Sequence, residues 1–160
     1  MIEAPLALYR TVVPADWLDY NGHMSEANYL VMVGYAADAF FSYVGIDDDY
    51  RAAGHSLYTA ETHLHHLRES GLGDQLDSTL QVLDLGPKSL HLFITMRNVG
   101  SGDPVATAEQ LLVHVDMASG RVVPMPADLY ERIAAIRDAH ASLPRPDAVG
   151  HVMGIRRPVG

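Results

Sequence analysis

Residues 13–45 read V-P-A-D-W-L-D-Y-N-G-H-M-S-E-A-N-Y-L-V-M-V-G-Y-A-A-D-A-F-F-S-Y-V-G, and the two halves of this stretch differ in kind. The first gathers Asp16, Asp19, Asn21 and His23, groups able to do chemistry, beside Gly22, which permits a tight bend. The second, Glu26 to Val44, is apolar on almost every side beyond its first residue, broken only by Asn28, Asp38 and Ser42. A helix apolar all round is buried or spans a membrane. Asp38 stops the run short of the roughly 18 to 20 apolar residues that spanning requires. The stretch therefore predicts a buried central helix with a polar, bent loop at its N-terminus. Ser25 is its expected N-cap, Glu26 suits the positive end of the dipole, and Gly45 is a left-handed stop.

Outward from the helix, Leu6 to Val13 reads as a strand ending at Pro14, and Asp47 to Gly54 as a short surface turn of helix. From His55 the apolar period becomes two. His55–Glu69 reads as one long strand or a bent pair of strands, and Asp74–Leu85, Lys88–Val99 and Val105–Asp116 as strands, divided by Gly71 and Gly73, by Gly86-Pro87 and by the loop from Gly100 to Pro104. Leu90, Leu92, Ile94 and Met96 fall on one face of the third of these strands, and His91, Phe93, Thr95 and Arg97 on the other. Short turns between successive strands favour an antiparallel sheet. Asp128 to Ala141 is helical in spacing and stops before Pro144. The expected class is α+β, a curved antiparallel sheet wrapped around the central helix, with a C-terminal helix. Residues 1–143 are expected to form the domain and 144–160 an irregular tail. A single wrapped layer leaves one sheet edge open, so pairing with a second copy, as homodimer or homotetramer, is expected.

The composition narrows the function classes. With 48 % apolar and 19 % charged residues the chain is globular, and 20 acidic against 11 basic side chains give a net charge of −9. That balance argues against nucleic acid as a partner, since phosphate backbones need a basic face. The absence of cysteine removes disulfides, thiol nucleophiles and thiolate-held zinc. The opening Met1-Ile2-Glu3-Ala4-Pro5 has no basic segment followed by an apolar run, which leaves no membrane role and the cytoplasm as the expected compartment.

The element order, with D-Y-N-G-H-M at 19–24 at the mouth of the long helix, resembles the hotdog-fold acyl-CoA thioesterases. H-S-L-Y-T-A-E-T-H at 55–63, A-T-A-E-Q-L-L-V-H-V-D at 106–116 and A-H-A-S-L-P-R-P-D-A-V-G at 139–150 are similar to the betainyl-CoA thioesterases of carnitine degradation. The resemblance implies hydrolysis of an acyl-CoA, betainyl-CoA being the best match, with no cofactor beyond the coenzyme A of the substrate. It implies Asp19 as the catalytic carboxylate, with Asn21 and His23 beside it. The 4-hydroxybenzoyl-CoA branch spaces two acids as D-x-D; this chain has Trp17 at the first of those positions, which favours Asp19 over Asp16.

Thioester hydrolysis needs a polarised carbonyl, an activated water or nucleophile, and a path for the thiolate. Free amides at Met24, Ser25 and Glu26 are expected to meet the developing oxyanion, commonly the largest catalytic contribution. Asp19 can act as general base or attack directly, Asn21 can hold water, and His23 can orient Asp19 or protonate sulfur. The alternative is structural: Asx residues before a helix serve as turn and cap groups, and a histidine beside glycine can simply complete a turn. Trp17 and Tyr20 could cage a trimethylammonium group, with Glu61 or Asp16 supplying charge, or could pack a subunit seam. Glu61 and His63 share a strand face, which either lines the helix and the active site or points outward. His63 and His65 share that face while His66 does not; two histidines without a third ligand predict no metal site. Cations available to coenzyme A phosphates are Lys88, Arg97, Arg121 and the pair Arg156-Arg157. Two further classes remain open, an acyl-CoA dehydratase or hydratase of the same fold and a non-catalytic acyl-CoA-binding module.

Overall fold

The computed structural model describes residues 1–158; the last two residues of the expected tail lie outside the described residues. Strand β1 (Leu6–Val12) leads through a 3-10 turn at Ala15–Trp17 into α1 (Glu26–Val44), and α2 (Asp48–Ala52) follows. Four long strands come next: β2 (His55–His66), β3 (Gln75–Leu85), β4 (Ser89–Asn98) and β5 (Pro104–Asp116). The short β6 (Arg121–Val122) and α3 (Ala127–His140) complete the elements. The sheet runs β1-β3-β4-β5-β2, every pair antiparallel, with β6 added beside β5. The expected strands and helices are therefore all present, with ends displaced by at most a few residues.

Alternation along the strands sorts side chains to two faces. Leu90, Leu92, Ile94 and Met96 of β4 are fully buried, together with Leu76 and Leu80 of β3 and Ala106, Ala108 and Leu112 of β5. Against this inner face α1 lays Tyr29, Met32, Val33, Ala36, Ala37, Phe40, Phe41 and Val44. Each large aliphatic side chain removed from water this way stabilises the fold by about 1.5–3 kcal/mol. The helix stops at Gly45, whose φ of 90° is the left-handed conformation that glycine adopts without a Cβ clash. Arg132 of α3 donates from Nε to the Val44 carbonyl at 2.8 Å and so caps the same end.

Complete burial of α1 does not occur. Its outer face leaves Leu30, Val31, Tyr35 and Tyr43 between 39 and 51 % exposed. A one-layer sheet can cover only one side of a helix, so an apolar outer face in the sequence becomes an open apolar face in the single chain. Ser25 occupies the N-cap position with extended backbone, yet its hydroxyl caps no amide. Instead Asn28 Nδ2 donates to Ser25 Oγ at 2.9 Å and to the Trp17 carbonyl at 3.1 Å, fastening the loop to the first turn of the helix.

The other face of the sheet is crossed by the segment after α3. His140, buried at the end of that helix, accepts the Val82 amide on Nδ1 at 3.0 Å and donates from Nε2 to the Glu3 carbonyl at 3.0 Å. Beyond it Pro144 accepts from Gln81 Nε2 on β3 at 3.5 Å, and the Gly150 amide donates to Glu109 Oε2 on β5 at 2.8 Å. His151 then reaches the rings of His63 and His65 on β2.

Candidate active site

The loop from Leu18 to Met24 folds back on itself. The Asp19 amide donates to the His23 carbonyl at 2.8 Å, and the Gly22 amide to the Asp19 carbonyl at 3.0 Å. Leu18 bridges Met24, and Gly22 supplies a φ of 75° at the tip. Asp19 Oδ1 accepts the amides of Asn21 at 2.8 Å and His23 at 3.3 Å. One oxygen of this carboxylate thus builds the turn, as an Asx residue does, and among the described residues Oδ2 accepts no hydrogen bond. The turn reading of Asp19 therefore accounts for one of its oxygens and leaves the other available.

This turn borders a cavity of about 300 Å³ at the N-terminus of α1, lined by Asp19, Asn21, His23, Met24, Glu26 and Tyr29 on one side. His66, Arg68 and Glu69, from the end of β2 and the loop after it, form the other wall. Contacts from His23, Met24 and Tyr29 hold the walls together. His23 bridges Gly71, and its Nε2 lies 3.4 Å from Glu69 Oε2; the Met24 amide donates to the Ser70 carbonyl at 2.7 Å. Tyr29 donates its hydroxyl to the Arg68 carbonyl at 3.3 Å and meets the His66 ring edge-on. Three carboxylates, Asp19, Glu26 and Glu69, face one full cation, Arg68, which is itself 3.7 Å from Asp103. The cavity is acidic.

Several expected site residues stand elsewhere. The Met24 and Ser25 amides are already engaged, the first with Ser70 and the second with the Trp17 carbonyl at 2.8 Å. Donors for an oxyanion are therefore left to the start of α1 proper, at Glu26 and Ala27, where an α-helix has no internal acceptor for its amides. Trp17 is half-buried against the core and Tyr20 is 98 % exposed at the turn, so the two form no aromatic cage within one chain. Glu61 and His63 lie on the outer face of the sheet, away from α1. Thr62, Leu64 and His66 pair with Gln110, Ala108 and Ala106 on the inner face, whereas His63 pairs with Glu109 and Glu61 with Leu111. Their expected place at the active site is corrected: β2 turns them to the opposite side. Arg97 also lies on that outer face, in the cleft beneath Pro144.

Tyr29, His66, Leu67, Arg68 and Glu69 are the lining residues that sequence reasoning missed. His66 carried a readable signal, since its strand parity matches that of Leu64. Arg68 and Glu69 arrive by a loop with no periodic pattern.

On the outer face, His63, His65 and His151 bring one ring nitrogen each within 4.8 Å of one another. Glu109 sits beside them, accepting from His91 Nε2 at 2.7 Å and from the Gly150 amide. Burial alone would raise this carboxyl, but the Gly150 and His91 donors outweigh it and hold it below the ordinary range.

Residues 13–133 match the family model described as the thioesterase-like superfamily, a span that contains every residue lining the acidic cavity. The chain is 45 % identical over 153 residues to the L-carnitine dehydrogenase/betainyl-CoA thioesterase of Rhizobium meliloti, covering 96 % of this chain and 31 % of that protein. It thus spans about a third of the length of that relative. It is 39 % identical to the betainyl-CoA thioesterase of Pseudomonas aeruginosa, covering 94 % of this chain and 95 % of that one. Among solved structures, a Staphylococcus aureus protein in complex with CoA superposes with a TM-score of 0.89 at 25 % identity, covering 98 % of this chain and 99 % of that one. A curled antiparallel sheet around one long helix, a family match over most of the sequence and relatives along nearly all of it agree: this chain is a hotdog-fold member of the thioesterase-like superfamily.

Proposed function

We propose that the chain is an acyl-CoA thioesterase whose substrate is betainyl-CoA, cleaved without a cofactor to betaine and free coenzyme A. The observation that carries this reading is the charge of the cavity. Three carboxylates against one paired arginine suit an acyl group bearing a fixed positive charge and disfavour an anionic one. The names of the two betainyl-CoA relatives support the same substrate.

In this mechanism the thioester carbonyl lies at the start of α1, its oxygen toward the Glu26 and Ala27 amides, where the dipole stabilises developing negative charge. Asp19, through its free Oδ2, takes a proton from water as the water oxygen bonds to the carbonyl carbon. Alternatively, Asp19 bonds to that carbon itself and the mixed anhydride is then hydrolysed. In either route the C–S bond breaks and the electron pair leaves on sulfur as a thiolate. Asn21 positions water at the rim. His23, held beside Glu69, orients the turn that carries Asp19 and can supply a proton to sulfur. Arg68 is the cation nearest the cavity for a coenzyme A phosphate.

The open outer face of α1 and the free edge of β2 support assembly with a second copy, as homodimer or homotetramer, which light scattering on the purified chain measures. We read residues 1–143 as the catalytic domain, 144–160 as its tail, and the cytoplasm as the compartment. No helix is long and apolar enough to cross a membrane among the described residues. The deciding experiment is thiol release from a panel of acyl-CoAs. Betainyl-CoA should be cleaved with the highest kcat/KM, and clear preference for a neutral straight-chain acyl group removes the substrate assignment. A covalent acyl adduct on Asp19, caught by rapid quench and mass spectrometry, distinguishes attack by the carboxylate from base catalysis.

A further inference from the structure

The outer face of the sheet carries a second constellation, separate from the thioester cavity. His63 and His65 project from the same face of β2, two residues apart. The segment after α3 delivers His151 onto them, with ring centroids 4.5 Å apart for His63 and His65, 4.6 Å for His65 and His151, and 5.6 Å for His63 and His151. All three residues are partly buried, and their ligand nitrogens lie within 4.8 Å of one another. In a tetrahedral zinc site with bonds of ~2.0–2.1 Å, ligand nitrogens stand ~3.3 Å apart, so modest ring rotations close the distance. The approach of His151 is itself secured, since the preceding amide, that of Gly150, donates to Glu109 Oε2.

An independent observation points to a missing ligand. His151 Nδ1 is buried and has no hydrogen-bond partner, an expensive state for a ring nitrogen. Buried histidines elsewhere in the chain are satisfied: His140 uses both nitrogens, and His114 donates from Nδ1 to the Val123 carbonyl while Nε2 accepts the Tyr50 hydroxyl. The three-histidine cluster, by contrast, brings its imidazoles together without giving each nitrogen a protein partner.

We propose that His63, His65 and His151 bind one divalent transition-metal ion of the zinc class, which staples the C-terminal tail to β2. Three imidazoles suit zinc and its neighbours in the first transition row, whereas calcium and magnesium need oxygen ligands. The fourth position opens into a cavity of about 610 Å³ bordered by Glu61, His91 and Glu109. Both Glu109 oxygens are already engaged, by His91 and by Gly150, so Glu109 supports the site from outside and water fills the open position.

The test uses the full chain without an affinity tag, stripped of metal by a chelator and dialysed. Calorimetric titration with Zn²⁺ should show one ion per chain. Co²⁺ should give the visible absorption of a tetrahedral site. His65→Ala and His151→Ala should each weaken Zn²⁺ binding at least ~10-fold and abolish the cobalt spectrum, while His55→Ala, outside the cluster, leaves both intact. Zn²⁺ should also slow amide hydrogen exchange in residues 144–158 of the wild type and not in His151→Ala. Because His151 lies in irregular chain, its replacement leaves the fold measurable by circular dichroism. Absence of stoichiometric Zn²⁺ binding, or binding of undiminished affinity in His151→Ala, overturns the proposal.

Discussion

The two faces of the sheet are built from the same strands and are governed by opposite chemistry. The inner face is a continuous aliphatic surface against α1, where Leu90, Leu92, Ile94 and Met96 have no exposure at all. The outer face holds His63, His65, His91, Thr95 and Glu109 and is covered by irregular chain that bonds to it through backbone groups at Pro144 and Gly150. One side is stabilised by area removed from water throughout, the other by a few directed polar contacts and the burial of Phe93 beneath the tail. The proposed catalytic carboxylate stands at the rim of the inner side, where the helix ends and the aliphatic packing gives way to charge.

The largest effect that tests this division is on chemistry. Asp19→Asn keeps an oxygen to accept the turn amides but removes the base or nucleophile, so kcat for thioester hydrolysis should fall about 10²–10⁴-fold. Zn²⁺ binding, measured by calorimetry on the same preparation, should stay unchanged; coupled loss of both would mean that the faces are not independent.

Next comes packing. Leu92→Ala on the inner face should cost about 2–5 kcal/mol in urea unfolding, because a fully buried side chain leaves a cavity against α1. His140→Ala should cost about 1–3 kcal/mol by leaving the Val82 amide without its acceptor. Burial holds His140 below the ordinary histidine value of 6.5, and it lowers His114 as well. The unfolded chain therefore takes up protons first as pH falls. Stability should be complete above that ordinary value and decline through it on acidification, with a smaller decline in His140→Ala. An unfolding midpoint that does not move across this window removes the assignment. The smallest effect should come from Thr95→Ala on the outer face, within about 0.5 kcal/mol. A larger loss there would mean that the tail packs more firmly than its polar contacts suggest.

How far the sequence could be read follows from the same contrast. Aliphatic alternation along β4 announces which side is buried, so the strands and the central helix were legible from periodicity, whereas the pairing of β2 with β5 at the sheet edge, set by tertiary contacts, was not. On β2 polar groups occupy both sides of an edge strand, and Thr59 and Glu61 flank a shift in register. Alternation alone could not say whether Glu61 and His63 faced the helix, and they do not. Helix α1 looked apolar on all sides because Leu30, Val31, Tyr35 and Tyr43 continue the pattern onto a face that its own sheet never covers. The turn at Asp19 was readable because its residue types and Gly22 demand a bend. The opposite wall, Arg68 and Glu69, and the third histidine at 151 come from irregular chain, where position depends on tertiary contacts and leaves no local signature.

The Arg132 guanidinium gives α1 an asymmetry with a functional consequence. By meeting the carbonyl at Val44 it quenches the negative pole of the macrodipole from inside the protein. At the opposite pole the amides of Glu26 and Ala27 have no acceptor within the helix, while Asp19, Glu26 and Glu69 border the cavity there. Under the proposed mechanism it is therefore these directed amides, and not the net charge of the site, that meet the developing oxyanion, and the pole they form is the one the protein leaves open to a ligand.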